Sequence, residues 1–457
     1  MSQAIDRRGF LFGASVAGFG VLCQGRNGWA GGVGPNETIQ VACVGVGGKG
    51  RSDTDNAANH GRIVALCDVD EKRLDAAAAK HKDAKRFVDF RELYDALGSK
   101  FDAVTVSTPD HTHAPAAVRA MRLGKHVYCQ KPLTHSVWEA RLMRETARKH
   151  GVCTQMGNQG TANPGFRRGV EVVQAGAIGE VREVHVWTNR PFKYWKQAPD
   201  IVARPTEVQE VPSYLHWTLF LGPAADRPYN KVYHPHDWRG WWDFGTGSLG
   251  DMACHTSNLV FKSLKLGQPT RVSAHSGAIN PETYPAWATI TYEFPTRDDL
   301  PPVKLTWYEG AKDGKRNLPD PKLFPAGFNP SDSGSLMIGS KGQMYSPSDY
   351  GSEQKLWPEE RFRDYKDPKP TLPRVAGGKG DDDNQKVEWF QAIREGKPEI
   401  AQSNFDYASV LTESMLLGNV AVRSGEAVDY TPETGEVTNS STAAGYLKSH
   451  FRKGWEL

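Results

Sequence analysis

From residue 37 the chain alternates between short apolar runs and polar stretches of helical length. Ile39, Val41, Ala42 and Val44 form an apolar run that enters Gly45-Val46-Gly47-Gly48-Lys49-Gly50, and Ile63-Val64-Ala65-Leu66 forms a second that ends at Asp68. Continuous rather than alternating runs mark strands covered on both faces. Residues 71–82 then read as a helix, 90–97 as a shorter one and 103–107 as a strand. A helix from about 114 stops at Gly124, a C-terminal glycine signal. Residues 126–129 read as a strand, Ser136 and Glu139 as a capping box opening a helix to about 150, and 153–156 as a last strand. This is βαβ repetition. It predicts a doubly wound parallel sheet over residues 37–160, binding ligands at the carboxyl ends of its strands. Three of those ends are polar: residues 108–113, Gln130-Lys131 and Asn158-Gln159.

From about Gly165 the texture changes. Residues 181–187, 286–294 and 303–307 alternate, as strands of an antiparallel sheet with one covered face do. Residues 190–244 are rich in Pro and Trp, too long for a plain loop, and read as an insertion lining a substrate site. Residues 318–383, rich in Pro, Gly, Ser and Asp, read as a surface run; 385–395 and 408–423 read as helices able to return to the first domain. The expected architecture is α/β plus α+β, with residues 161–457 forming a substrate-binding domain around a large, mostly antiparallel sheet. No internal repeat is visible.

The first apolar run opens directly into a dinucleotide-binding pattern. In G-x-G-x-x-G, Gly45 permits the tight turn, Gly47 lets the backbone approach a pyrophosphate, and Gly50 lets helix and strand pack closely. Gly48 and Lys49 complete a loop whose amides face the phosphates. Asp68, about twenty residues on, is placed to accept from the adenosine ribose hydroxyls. The expected cofactor is NAD, because Asp68 repels a 2′-phosphate; Lys72 and Arg73 lie close enough to accommodate NADP. Ser107, Thr108, Pro109, His113, Gln130 and Asn158, at the other strand ends, are further candidate cofactor contacts.

Length and charge narrow the classes. At 457 residues two domains are the default. A formal charge of +3 gives no electrostatic case for nucleic acid. The 13 Trp and 15 Tyr suit a stacking surface for sugar rings and suit buried aromatic packing equally. Residues 1–30 stand apart: Arg7-Arg8-Gly9-Phe10-Leu11 is a twin-arginine signature, although Asp6 stands where Ser is usual, and Gly28-Trp29-Ala30 offers small residues for cleavage. The apolar part is too short and glycine-rich to span a bilayer. The expectation is export in folded form by the twin-arginine machinery to the periplasm. Cys43, Cys67, Cys129, Cys153 and Cys254 lack disulfide-framework or metal-ligand spacing, and neither a disulfide nor a metal is expected.

Two polar features suggest chemistry. Lys131, pinned by Pro132, places an ammonium at a strand end beside the expected nicotinamide. Asp251 and His255 follow a Gly-rich run and, four apart at a helix start, share a face. His suits a general base near neutral pH and a carboxylate can fix its tautomer; in isolation the pair reads equally as a helix-start Asp and a packed His.

Together the glycine fingerprint, Thr108-Pro109-Asp110-His111-Thr112-His113, Lys131-Pro132 and Asp251-x-x-x-His255 resemble the glucose–fructose oxidoreductase and inositol 2-dehydrogenase (Gfo/Idh/MocA) family, most strongly up to Gly179, with the look of an exported bacterial subgroup. The resemblance implies a Rossmann domain followed by an α/β domain, with Lys131 positioning the reacting oxygen, His255 exchanging its proton and Asp251 holding a hydroxyl or the His. The family usually has Glu where this chain has Gln130. The expected reaction is NAD(P)-dependent oxidation of a hydroxyl on a sugar, polyol or glycoside, with the cofactor retained and recycled because the periplasm supplies no free pool. Two alternatives stay open: an NAD-dependent glycosidase working by oxidation, elimination, hydration and reduction, and a non-catalytic sugar sensor or scaffold. Asn189, Arg190, Tyr233, His236, Trp238 and Trp241 join Lys131, Asp251 and His255 as substrate-site candidates, with Tyr128, His185, His234 and Trp242 as further pocket candidates by position and type. A homo-oligomer is expected by analogy.

Overall fold

The computed structural model describes residues 38–191 and 203–457. The twin-arginine segment lies outside them, as does part of the Pro- and Trp-rich insertion.

The first half is a six-stranded parallel sheet in the order β3-β2-β1-β4-β5-β6: β1 Gln40–Val44, β2 Arg62–Cys67, β3 Lys85–Phe87, β4 Ala103–Val106, β5 His126–Cys129 and β6 Thr154–Met156. The chain reverses direction across the sheet between β1 and β4, and a crevice opens there at the carboxyl ends. Strand β3, a short polar edge, is the one sheet member that the apolar runs did not foretell. The predicted capping box is present: Ser136 accepts from the Glu139 amide, and Glu139 accepts from the amide of Ser136.

The second half is a ten-stranded sheet built on β7 Val181–Trp187, β8 Arg271–Ser276, β9 Trp287–Phe294 and β10 Val303–Lys312. Its pairs are antiparallel except β7 with β10. Residues 318–383 are more than a surface run. They contribute β12 Gly334–Gly339, β13 Gly342–Ser346 and β14 Lys355–Trp357, which extend the sheet beyond β7 after the short hairpin strand β11 Lys315–Arg316. β12 and β13 are short and bounded by Gly and Ser, and β14 has three residues, so no apolar period marks them.

Two C-terminal helices close the molecule. Asp381–Glu395 lays Trp389, Phe390, Ala392 and Ile393 against Ile39, Val41 and Cys43 of the first sheet. Phe405–Ser424 runs between the halves, packing on the helices Val137–His150 and Gly247–Thr256. One apolar core therefore continues from one half into the other. In the described part of the insertion, Trp217, Phe220, Tyr229, Tyr233, Trp241 and Phe244 form a separate aromatic cluster. All five cysteines among the described residues are buried and free. No described helix is long and apolar enough to cross a membrane.

Candidate active site

At the switch point the backbone turns so tightly that a side chain would collide. A Cβ on Gly45, whose φ is 78°, would lie 2.6 Å from the carbonyl oxygen of Ser107, and one on Gly50 would lie 1.9 Å from that of Gly45. The helix Lys49–Ala58 starts at Gly48 with no side-chain cap; the Gly50 and Arg51 amides turn back onto the Gly47 and Gly48 carbonyls, and the positive end of the helix dipole faces the loop. An uncapped, positive helix end behind a glycine loop is what a dinucleotide pyrophosphate needs, and the loop fits it. Asp68 Oδ2 accepts from the amides of Val46 (2.9 Å) and Gly47 (3.2 Å), and its Oδ1 accepts from Asp70 N (3.0 Å). The carboxylate thus braces the loop it was expected to assist, and burial raises its pKa. The Arg73 side chain lies across Gly47, while Lys72 turns away onto the Tyr214 ring, 3.7 Å from its centroid.

Beneath the loop sits a fully buried carboxylate, Asp53. Its Oδ1 accepts from Lys386 Nζ (2.9 Å) and Lys49 Nζ (3.1 Å), and its Oδ2 from Ser107 Oγ and Gln130 Nε2 (each 2.8 Å). Burial would raise this carboxyl, but the Lys386 and Lys49 ammonium groups hold it at about 2. Lys386, also fully buried, stacks its ammonium on Tyr128, 3.4 Å from the ring centroid.

A cavity of about 640 Å³ runs from the loop into the second half. Lys131, whose bond to Pro132 is cis, reaches across the domain boundary. Its Nζ donates to Asp251 Oδ1 (2.9 Å) and to the Asp251 carbonyl (2.6 Å). Arg239 Nε approaches the same carboxylate at 3.4 Å. Burial favours the neutral acid at Asp251, yet the Lys131 and Arg239 cations prevail and hold its pKa well below the usual carboxylate range. His255, one turn on, is 5% exposed and lines the cavity, with its Nδ1 buried and without a hydrogen-bond partner. Burial, reinforced by the Lys131 charge, drives its pKa far below 6.5, so the ring is a neutral base at physiological pH. The Tyr350 ring meets it edge-on at 4.9 Å. Asp110 Oδ2 accepts from Thr246 Oγ1 at 2.7 Å, just before the helix that carries Asp251 and His255.

The cavity gathers most of the expected residues. Gly45, Gly47, Gly48, Lys49, Asp68, Ser107, Thr108, Pro109, Gln130 and Lys131 line one side; Arg190, His234, His236, Trp238, Asp251 and His255 line the other. Several candidates sit elsewhere. His113 is buried, its ring nitrogens 2.8 Å from the Pro132 carbonyl and 2.9 Å from that of Thr108. Asn158 donates to the Cys254 carbonyl and its own carbonyl accepts from Gln385, tying the halves together. Asn189 stands behind Arg190 and accepts from its Nη1 at 2.6 Å. Tyr233 and Trp241 pack on each other, centroids 4.6 Å apart, inside the aromatic cluster rather than on the wall. Tyr128 bonds Gln385, His185 bonds Tyr308 and Glu183, and Trp242 packs on Tyr284. The wall also holds Asp110, Arg239, Asp349 and Tyr350, which sequence reasoning did not select. Asp110 lay inside a motif already singled out. The other three carry no local signal.

Residues 39–158 match the family model described as oxidoreductase family, NAD-binding Rossmann fold, and residues 167–299 match that family's C-terminal α/β domain. An inositol 2-dehydrogenase from Rubrobacter xylanophilus is 32% identical over 150 residues, 32% of this chain and 42% of that protein. One from Salmonella typhimurium is 28% identical over 204 residues, 43% and 58% of the two chains. The chain spans about half the length of the curated relatives it matches. The WlbA dehydrogenase of Bordetella pertussis, solved with NADH and UDP-GlcNAcA, shares the fold at TM-score 0.58 and 16% identity, over 86% of this chain and 99% of that one. The aldose-aldose oxidoreductase of Caulobacter crescentus does so at 0.55 and 17%, over 86% and 100%. With both domains matched in order and the glycine loop opening onto a shared cavity, the chain belongs to the Gfo/Idh/MocA oxidoreductase family.

Proposed function

We propose that the protein oxidises a hydroxyl group of a sugar, polyol or glycoside with a nicotinamide dinucleotide as acceptor. The observation that carries this reading is the pairing, in one cavity, of a glycine loop with an ion-paired Lys131 and a neutral, unsatisfied His255. Gly45, Gly47, Gly48 and Lys49 would hold the pyrophosphate, and Ser107 and Gln130 would meet the nicotinamide half. When bound, the dinucleotide supplies the acceptor for the electron pair of the C–H bond. His255 takes the hydroxyl proton. The Lys131 ammonium, anchored by Asp251, donates to the reacting oxygen and steadies the charge that develops there. Asp251 therefore acts on Lys131, to which it is bonded, rather than on His255.

The preferred cofactor is NAD, with Asp68 at the end of β2, and Arg73 is the group that would admit NADP. Arg7-Arg8 supports export of the folded, loaded protein to the periplasm, where the cofactor stays bound and is recycled between substrates. The experiment is native mass spectrometry of the exported protein with identification of any released nucleotide, followed by substrate screening with sugars, polyols and aryl glycosides. Near-stoichiometric NAD(H) is expected. In His255→Ala, turnover should fall by about 10²–10⁴-fold while the nucleotide stays bound. A wild-type protein that never takes up a dinucleotide, or a His255→Ala variant with full turnover, refutes the proposal.

A further inference from the structure

Gln130 occupies a strand end on the cavity wall, and its orientation is dictated from below. A carboxylate only accepts hydrogen bonds, whereas an amide side chain has one donor end and one acceptor end. Asp53 lies 2.8 Å from Gln130 Nε2, in a place with no access to water. The donor end must therefore face Asp53. Oε1 is left on the side of Lys131, whose amide nitrogen donates to one of the oxygen's two lone pairs at 3.4 Å. The same carboxylate oxygen accepts the hydrogen bond of the Ser107 hydroxyl at 2.8 Å, so toward the cavity Ser107 offers lone pairs alone.

The charge that does this is itself held in place. Lys386 comes from the helix Asp381–Glu395 and pairs with Asp53 at 2.9 Å, both side chains at 0% exposure. Lys49, at the start of the loop helix, bridges Asp53 (3.1 Å) and Asp382 (2.8 Å) of that same C-terminal helix. The four groups are two cations and two anions, and every oxygen of Asp53 is satisfied. A carboxylate at position 130 would set two acceptors against one another around an already filled oxygen.

We propose that Asp53, held by Lys386, is a positioning residue for the cofactor. It takes the donor ends of Ser107 and Gln130 so that both present acceptors to donor groups of the dinucleotide, such as its carboxamide or ribose hydroxyls. This rests on the dinucleotide reading above. It also gives a physical reason for Gln, and not Glu, at position 130.

Three proteins test it: the wild type, Gln130→Glu, and the exchange Asp53→Asn with Gln130→Glu. The exchange keeps the net charge of the cluster and restores the donor–acceptor pair between positions 53 and 130 with its ends reversed, while Ser107 then accepts from the new amide at position 53 and its own hydroxyl hydrogen is freed. Binding of NAD+ and NADH is followed by tryptophan fluorescence, and folding by thermal unfolding without nucleotide. Gln130→Glu is expected to weaken both nucleotides by about tenfold or more, the scale of one buried unsatisfied group. The exchange is expected to unfold like the wild type and to recover part of the NAD+ binding lost in Gln130→Glu, with NADH now the weaker ligand because a carboxylate faces the ring. A purely structural role would move unfolding without separating NAD+ from NADH. If Gln130→Glu does not fold, the exchange alone decides. Wild-type-like binding in Gln130→Glu overturns the proposal and leaves the oxidoreductase reading standing. So does an exchange that folds but recovers none of the lost NAD+ binding, or that recovers it with the ratio of NAD+ to NADH affinity unchanged. A wild type that binds neither nucleotide overturns both.

Discussion

Replacing Asp110 with Asn should change how stability depends on pH, with a sign opposite to that of most acidic residues. Asp110 is 5% exposed and accepts from Thr246 Oγ1 at 2.7 Å. Burial pushes its carboxyl up to about 7; the nearby Asp251 adds to the rise, while Thr246, Arg239 and Lys131 oppose it. In the unfolded chain an Asp titrates near about 3.9. The folded state therefore keeps a proton that the unfolded state releases, and stability falls as pH rises through that window. Below the unfolded value neither state is penalised; above the folded value the penalty is complete. Roughly three units at about 1.4 kcal/mol each give a full penalty near 4 kcal/mol, of which about 2–3 kcal/mol develops between pH 5 and pH 8.

Asn keeps the shape of the protonated acid and an acceptor for Thr246, and it cannot ionise. Urea unfolding of both proteins across that range supplies the measurement, and subtracting the two curves removes shared contributions. Those include Glu139 and Glu309, which burial also lifts to about 7. The stability difference should move toward the Asn variant by about 2–3 kcal/mol on going from pH 5 to pH 8. Parallel curves would refute the assignment of a retained, buried proton to Asp110. Because Asp110 also lines the cavity, a limb near pH 7 in kcat/KM should be present in the wild type and missing in the variant.

Other substitutions probe the remaining parts of the site. Lys131→Met leaves Asp251 with Arg239 at 3.4 Å as its remaining cation, and should lower kcat by about 10²–10³-fold with dinucleotide affinity within about threefold, by steady-state kinetics and fluorescence titration. Gly50→Ala forces a Cβ to within 1.9 Å of a backbone oxygen that has no free rotation, and should destabilise by about 1–3 kcal/mol or more in chemical unfolding. Arg73→Ala should weaken NADP by about tenfold and leave NAD within about threefold in the same titration; equal losses for both would show that Arg73 braces the loop rather than reading the 2′ position.

The first half of the fold was legible because its strands are buried on both faces, so each is a continuous apolar run between turns with strong signals. Strand β3 escaped because Lys85 and Arg86 belong to an exposed edge, where nothing apolar is required. In the second half β12 to β14 escaped for a related reason. Their buried side chains, such as Leu336, Met337 and Met344, are too few per strand to set a period against flanking Gly and Ser.

The site divides along the same line. Lys131 stands just past a strand end, and Asp251 and His255 lie one turn apart, so local spacing exposed them; the helix begins at Gly247, however, and holds Asp251 inside it rather than at its start. Tyr350 and Asp349 reach the cavity on a loop from a distant hairpin, and no spacing to His255 could announce it. Tyr233 and Trp241 show the converse, since the same residue types build stacking surfaces and cores, and here they build a core. Lys386 is the most instructive. On an isolated helix a Lys beside Glu388 and Gln391 reads as a solvated face, the usual fate of lysine. It is fully buried because Asp53, more than three hundred residues earlier, needs a cation where water cannot reach. Hydrophobic pattern records which residues leave water. It does not record which polar atoms are used up by one another, and here that determines whether Ser107 and Gln130 face the cavity as donors or as acceptors.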